Sequence, residues 1–330
     1  MKAVLMDGFG GVEVLRVAET DKPAPGKAEV LVKVMATSVN RADLMQREGK
    51  YPPPPGASEI LGLEVAGVID EVGRGVSEWE KGERIMSLVA GGGYAEYAVA
   101  DASHLMRVPP GMDFVEAACV CEAYITAFFN IFMLGGLEDG DAVLIHGGGG
   151  GVNTAAIQLC RVLVPRAKVI VTASPGKIER IRETGADLVV NYRETPDFSE
   201  PVRKFTGMKG VQVILDHVGA KYLASNMRSL GEGGRLVIIG LTGGARAEID
   251  LAALMIGRQR IIGSVLRSRS VQEKGEIVAE FSRTVLPKFA DRSIFPVVET
   301  VFPLDRIADA HRMMEESRHF GKIAVHIANS

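Results

Sequence analysis

Residues Asp141 to Leu163, DAVLIHGGGGGVNTAAIQLCRVL, constrain the fold of this chain more than any other stretch. An apolar run of buried-strand length, Ala142 to Ile145, breaks at His146, passes through five consecutive glycines and resumes from Val152 in a helix-compatible pattern. The reading is strand, tight turn, helix. Glycine serves such a turn because the backbone takes positive φ there and because a Cβ would hold a bulky anion off the main chain. The free N–H groups and positive dipole end of the new helix then face that anion. In this setting the anion is a dinucleotide pyrophosphate, held by Gly148, Gly151 and Val152. A flexible surface turn has the same composition, but the flanking strand and helix favour the fingerprint. Strand-like runs follow at βα spacing, at Lys168 to Ala173, Val211 to Leu215, Arg235 to Ile239 and Arg260 to Val265. That alternation predicts an α/β fold with a doubly wound parallel (Rossmann) sheet. The third small residue of the fingerprint, which lets helix and strand approach closely, is Asn153. Either the helix stands further off, or the Asn153 side chain makes a contact of its own.

A chain of 330 residues has room for two domains with sizeable cores. With 24% charged and 47% hydrophobic residues it has an ordinary soluble composition, and a net charge of -3 leaves no basic footprint for nucleic acid. No apolar run reaches bilayer length, and MKAVLMDGFGG has no signal-peptide core, so a cytoplasmic protein without membrane partners is expected. The three cysteines, Cys119, Cys121 and Cys160, are too few for a disulfide framework or a four-cysteine zinc lobe. Cys119 and Cys121 lie in an apolar stretch and read as core packing.

In chain order, β-rich runs come first: Lys2 to Leu5, Val12 to Val17 and Val30 to Thr37. Asn40 to Gly49 reads as a short helix, and Lys50-Tyr51 and four prolines put Tyr51 on a stiff loop. Glycine-interrupted β segments occupy Ile60 to Lys81, then Arg84 to Val89 and Tyr94 to Ala100, which predicts a small, closed or partly closed β-domain. Asp113 to Leu134 reads as one helix. Near the C-terminus a β run at Ile294 to Val301, a helix at Leu304 to Glu316 and a strand at Gly321 to Ile327 are expected.

Gly62, Glu64, Gly67, Gly73 and Val76 match the G-H-E-x2-G-x5-G-x2-V signature of the medium-chain dehydrogenases/reductases, except that Leu63 replaces the histidine. In the zinc alcohol dehydrogenases of that family this histidine and a cysteine on the earlier loop bind the catalytic metal, and the cysteine position is Asn40 here. Two N/S donors are missing, so no catalytic zinc is expected. With HGGGGGVN the chain resembles the zinc-free quinone oxidoreductases. NRADLMQREGKYPPPPGASEILGLE, NTAAIQL and SVLRSR are more similar to the p53-inducible quinone oxidoreductases than to ζ-crystallin. The resemblance spans the chain. It implies a GroES-like catalytic domain at residues 1–122, a nucleotide domain at 123–267 and a return to the catalytic domain at 268–330.

An NAD enzyme usually ends its second nucleotide-domain strand with an acid that accepts from the ribose 2′-hydroxyl and repels a 2′-phosphate. Here that strand ends in Ser174, with Lys177 soon after and no acid. Ser174 can donate to a phosphate and Lys177 supplies charge, although Lys177 alone also fits a solvated helix residue. The resemblance adds Tyr192 on the phosphate side, and NADPH is the expected cofactor. It also implies that Asn40 contacts cofactor or substrate, that Asn40 and Asp43 line the cleft between domains, and that Tyr51 is a phenolic donor over the acceptor. Tyr51 has a blander reading as an exposed turn aromatic. Thr126 is expected near the nicotinamide ribose or phosphate, with a buried helix threonine as the alternative. His217 follows a strand at its ligand-binding edge and joins the cofactor set without a catalytic role. Gly240-Leu241 and Ser264, Leu266 and Arg267 end two further strands, whose backbones the family uses around the nicotinamide. Met45 replaces a tyrosine of ζ-crystallin-type enzymes, which bears on substrate range more than on fold. Glu64 is expected to bury its charge against a backbone or arginine partner.

The expected activity is NADPH-dependent reduction of small quinones without metal. Two alternatives stand beside it: an alkenal or enone double-bond reductase, and a dinucleotide-binding structural or adaptor protein. In this family nucleotide domains pair through edge strands, and RIIGSV at Arg260 to Val265 carries few outward charges, so a homodimer is expected.

Overall fold

The computed structural model describes residues 1–327. The chain divides into two compact units, one of Met1–Ile125 with the chain from Leu266 onward, the other of Thr126–Val265. The first unit opens with β1 (Lys2–Met6) and β2 (Leu15–Glu19), an antiparallel pair. Residues Val12–Val14, expected as strand, form a single 3-10 turn. The Glu13 carboxylate accepts from the Gly11 N–H at 2.9 Å, a local bond that draws this backbone away from the ladder. Next come β3 (Glu29–Val39), α1 (Arg41–Arg47), β4 (Glu64–Val72), β5 (Arg84–Leu88), β6 (Tyr97–Asp101) and β7 (Leu105–Arg107). The signature glycine Gly67 sits where β4 crosses β3 so closely that a Cβ would stand 2.1 Å from the Lys33 carbonyl oxygen.

Asp113 to Leu134, expected as one helix, is broken. It consists of α2 (Phe114–Ala117), a turn, α3 (Cys121–Phe128) and a wide π-type segment at Phe129–Leu134. The break gives α3 its own N-terminus, whose Glu122 N–H donates to Glu64 at 2.8 Å. In the π-type segment the Asn130 amide donates to the Thr126 carbonyl at 2.8 Å and competes with the regular ladder.

The second unit alternates strictly: β8 (Ala142–His146), α4 (Gly151–Leu163), β9 (Lys168–Ala173), α5 (Ile178–Thr184), β10 (Leu188–Asn191), α6 (Ser199–Phe205), β11 (Val211–Asp216), α7 (Leu223–Ser229), β12 (Leu230–Ile238), α8 (Leu251–Ile256) and β13 (Arg260–Gly263). Its six parallel strands run β10-β9-β8-β11-β12-β13, so the order reverses between β8 and β11. β10 is the strand the sequence reading passed over. Leu144, Ile170, Ile214 and Leu236 pack in the core between this sheet and its helices.

The chain then returns to the first unit through α9 (Val271–Thr284), α10 (Leu286–Ala290), β14 (Val298–Pro303), α11 (Ile307–Glu315) and β15 (Lys322–His326). The expected β run at Ile294 therefore starts four residues late. β15 pairs with β3, completing a sheet ordered β14-β15-β3-β4-β5-β7 with β6 also on β3. The fold is thus a Rossmann domain with a GroES-like β-domain. Among the described residues no helix is long and apolar enough to cross a membrane.

Candidate active site

In open parallel sheets ligands bind beyond the carboxyl ends of the strands where their order reverses. Here that point lies between His146 on β8 and Asp216 on β11. Gly147 takes φ +72, and a Cβ there would stand 2.6 Å from the His217 ring. The Gly147 and Gly148 N–H groups both donate to the Thr172 carbonyl of β9, at 2.9 and 3.1 Å. Gly148 is packed so tightly that a Cβ would meet Val171 at 2.4 Å and Ile181 at 2.8 Å. Gly149 lies beneath the Lys177 side chain, whose Cδ would be 2.3 Å from a Cβ. No side chain caps the N-terminus of α4, so the N–H groups of its first turn, at Gly151 and Val152, remain available to an anion. Of the two readings of Asn153 the second holds: its amide donates to the Gly147 carbonyl at 2.6 Å and braces the loop.

The residues expected at the 2′-phosphate converge within this unit. Ser174 follows β9 directly, Lys177 lies one turn on over Gly149, and Tyr192 follows β10 with its N–H on the Ala173 carbonyl at 3.3 Å. All three are half-buried. On the other side of the switch point the His217 carbonyl accepts from the N–H and hydroxyl of Thr242, which holds the Gly240-Leu241 turn against it. Ser264 follows β13 with a buried hydroxyl that has no hydrogen-bond partner among the described residues. Thr126 is half-buried in α3.

Beneath the loop, buried His146 bonds Thr172 at 2.9 Å and Asn226 at 2.7 Å, and Asn226 donates to Asp216 at 3.1 Å. Burial pushes the His146 imidazole down to about 3, so this support is neutral. A glycine cradle, a bare helix start, a lysine lying over the loop and an orphaned hydroxyl fit a phosphorylated dinucleotide.

The remaining predicted residues, Asn40, Asp43, Tyr51, Leu266 and Arg267, belong to the first unit. Asn40 precedes α1, and Asp43 reaches back to its N–H at 2.8 Å. Asp43 departs from the expected lining role. It is fully buried and accepts also from the Gly62 N–H and the Tyr94 hydroxyl, at 3.2 and 3.0 Å. Burial outweighs these donors and lifts its carboxyl to about 6. Asn40 is nearly buried, donating to Glu64 at 2.9 Å and accepting from Lys322 at 2.6 Å.

Glu64 meets the backbone half of its expectation through the Glu122 N–H at 2.8 Å, but its charge partner is Lys322 of β15 at 2.8 Å rather than an arginine, and the Ser38 hydroxyl and the Asn40 amide also donate to it. Burial opposes the Lys322 charge, but the Glu64 carboxylate overrides it and holds the ammonium above its usual range.

Arg267 acts through its side chain rather than only its backbone. The guanidinium donates to the Ala90 carbonyl at 2.6 and 2.9 Å and to Gln46 at 2.8 Å, and it lies 5.3 Å from the centre of the Tyr51 ring. Tyr51 is half-buried, and burial with the nearby Glu122 raises its phenol against the pull of Arg267. Leu266 lines a small cavity with Leu63, Leu88, Glu122, Arg267 and Lys274. Sequence reasoning passed over Lys322 and Glu122. Each was signalled by a charge inside an apolar run, GKIAVHI and ACVCEAYITAF.

The zinc-ligand positions do not fit a metal. Leu63 is a buried hydrocarbon and the Asn40 amide is taken at both atoms. No group of three His, Cys, Asp or Glu among the described residues is placed to hold an ion.

Comparison with known proteins agrees with this architecture. The zinc-binding dehydrogenase family model matches residues 151–283, and that of the alcohol dehydrogenase GroES-like domain matches residues 26–110. The synaptic vesicle membrane protein VAT-1 homolog of Rattus norvegicus is 32% identical over 98% of this chain and 83% of its own. The quinone oxidoreductase of Homo sapiens is 32% identical over 94% of this chain and 93% of its own. A mycobacterial protein solved complexed with NADPH superposes with a TM-score of 0.88 at 29% identity, covering 99% of this chain and 100% of that one. The chain belongs to the medium-chain dehydrogenase/reductase superfamily and is an oxidoreductase of that kind.

Proposed function

We propose that this protein reduces quinones with NADPH, without a metal. The observation that carries the cofactor is the convergence of Ser174, Lys177 and Tyr192 at the ends of β9 and β10, with no acid ending β9. A 2′-phosphate there gains charge-assisted hydrogen bonds that NADH cannot make. The mycobacterial relative complexed with NADPH supports the same choice, and the human quinone oxidoreductase supports the acceptor. When bound, the reduced nicotinamide supplies the hydride. The protein's own part is to place the acceptor and stabilise the charge that grows on its oxygen. Tyr51 is the donor for that oxygen: its phenol is protonated at neutral pH, and its carbonyl accepts from Arg267, which Ala90 and Gln46 hold in place.

NADPH consumption is expected with 1,2-naphthoquinone and to be slower with a 2-alkenal. Faster turnover of the alkenal would make the protein a double-bond reductase, and consumption with neither would leave a dinucleotide-binding protein. Tyr51→Phe is expected to lower kcat for the quinone about 100-fold, the usual cost of one oxyanion donor. An unchanged kcat would remove Tyr51 from the role.

The protein is also proposed to form a homodimer through β13, an edge strand with exposed Ile261, followed by exposed Val265 and preceded in the chain by exposed Leu251, Met255 and Ile256 of α8. Gel filtration at the size of a single chain would contradict this.

A further inference from the structure

We propose that the carboxyl group of Glu122, a residue that lines a cavity with Leu63, Leu88, Leu266, Arg267 and Lys274, is the proton donor that completes reduction of the acceptor. The inference deepens the reductase reading and rests on it. Reducing a quinone to a hydroquinone takes one hydride and one proton. A bound reduced nicotinamide would supply the hydride and be oxidised in doing so. The Glu122 O–H bond breaks as an acceptor O–H bond forms, and the resulting carboxylate regains its proton from solvent.

The geometry sets Glu122 apart from its neighbours. It is the second residue of α3, fixed through its backbone N–H on Glu64 at 2.8 Å. The residue lines the cavity and is half-buried. No hydrogen bond or ion pair among the described residues engages its carboxyl oxygens. Asp43, by contrast, is enclosed by three donors, and Glu64 is spent on Lys322, Asn40, Ser38 and the α3 N-terminus. Of the three acids, Glu122 is the one that lines the cavity.

The surrounding charges keep it protonated. Burial and then the Glu64 carboxylate raise the group, with Asp43 adding to them, while Lys322 and Arg267 pull the other way; the outcome is about 8. Tyr51 and Lys274 also face it, the first as a neutral phenol and the second as a cation. Cys119 and Cys121 at the head of α3 are fully buried thiols pushed up by burial, so they add no charge. An acid of this kind is matched to proton delivery near neutral pH, which the phenol of Tyr51, raised from 10, is not.

The test compares the wild type with Glu122→Gln and reads the free protein as well as turnover. In the free wild type, infrared spectroscopy should find a protonated carboxyl band near neutral pH that is lost as the pH passes about 8 and is absent from Glu122→Gln. A carboxyl raised on folding binds its proton more tightly in the native state than in the unfolded one. Its share of stability is therefore lost as pH rises from 4.5 to about 8, and the variant should lack that part of the melting-temperature slope. With NADPH and 1,2-naphthoquinone, wild-type kcat should fall above the same pH. Glu122→Gln should be slower by about 100-fold and flat with pH, at unchanged NADPH affinity. A band that titrates below pH 6, or a variant with wild-type kcat and pH profile, would overturn the proposal while the reductase reading stands. A wild type inactive with every quinone would overturn both.

Discussion

Lys322→Met should destabilise the protein by about 3–5 kcal/mol, the cost of removing one partner from a buried ion pair. Lys322 is 3% exposed and Glu64 is 0% exposed, so water cannot take over for the missing charge. Glu64 would keep the Ser38 hydroxyl, the Asn40 amide and the Glu122 N–H but no cation. Asn40 would also lose the donor to its carbonyl oxygen, and β15 would lose its polar tie to α1 and β4. For a unit of this size the melting temperature should fall by on the order of 10 °C. Adding Glu64→Gln should restore part of the loss, because the double variant leaves no uncompensated charge. Scanning calorimetry of the three proteins reads this directly. A single-variant loss under about 1 kcal/mol would mean that the pair is no more than a surface salt bridge.

The second large effect falls on ligand binding. Gly148→Val places its Cβ where Val171 and Ile181 already stand, at 2.4 and 2.8 Å, and both of those side chains are fully buried in the sheet and α5. The loop must lift off β9, losing the Gly147 and Gly148 bonds to Thr172 and shifting the N–H groups at the head of α4. Two charge-assisted hydrogen bonds to a pyrophosphate are worth about 3–6 kcal/mol together, so NADPH affinity should drop more than about 100-fold. The overpacking itself should cost about 1–3 kcal/mol of stability, small enough to leave a folded protein for the titration.

Much of the nucleotide half was legible in residues that must be what they are for local reasons. The run from Ala142 to Val152 dictates strand, turn and helix by itself, and the βα spacing of the later runs dictates a parallel sheet. The strand Leu188–Asn191 escaped because four residues between a short helix and a polar loop carry almost no periodic signal. What was illegible elsewhere depends on partners far away in sequence. Nothing local to Glu64 names a lysine 258 positions on, and nothing local to Asp113–Leu134 says that its helix must break so that Glu122 meets Glu64. Asp43 followed the same pattern: a carboxylate on a site loop invites a functional role, yet the helix cap, Gly62 and Tyr94 together consume it. Asn153 departs from the fingerprint, and in three dimensions its amide donates to the Gly147 carbonyl of the loop.

Isothermal titration of the wild type with NADPH and with NADH, repeated on Lys177→Ala and Gly148→Val, tests the central claim most directly. The account predicts one NADPH per chain, bound at least about tenfold more tightly than NADH because a charge-assisted hydrogen bond is worth about 1.5–3 kcal/mol. That preference should shrink in Lys177→Ala, and NADPH binding should weaken more than about 100-fold in Gly148→Val. No heat with either nucleotide in the wild type, or equal affinity for the two, would contradict it.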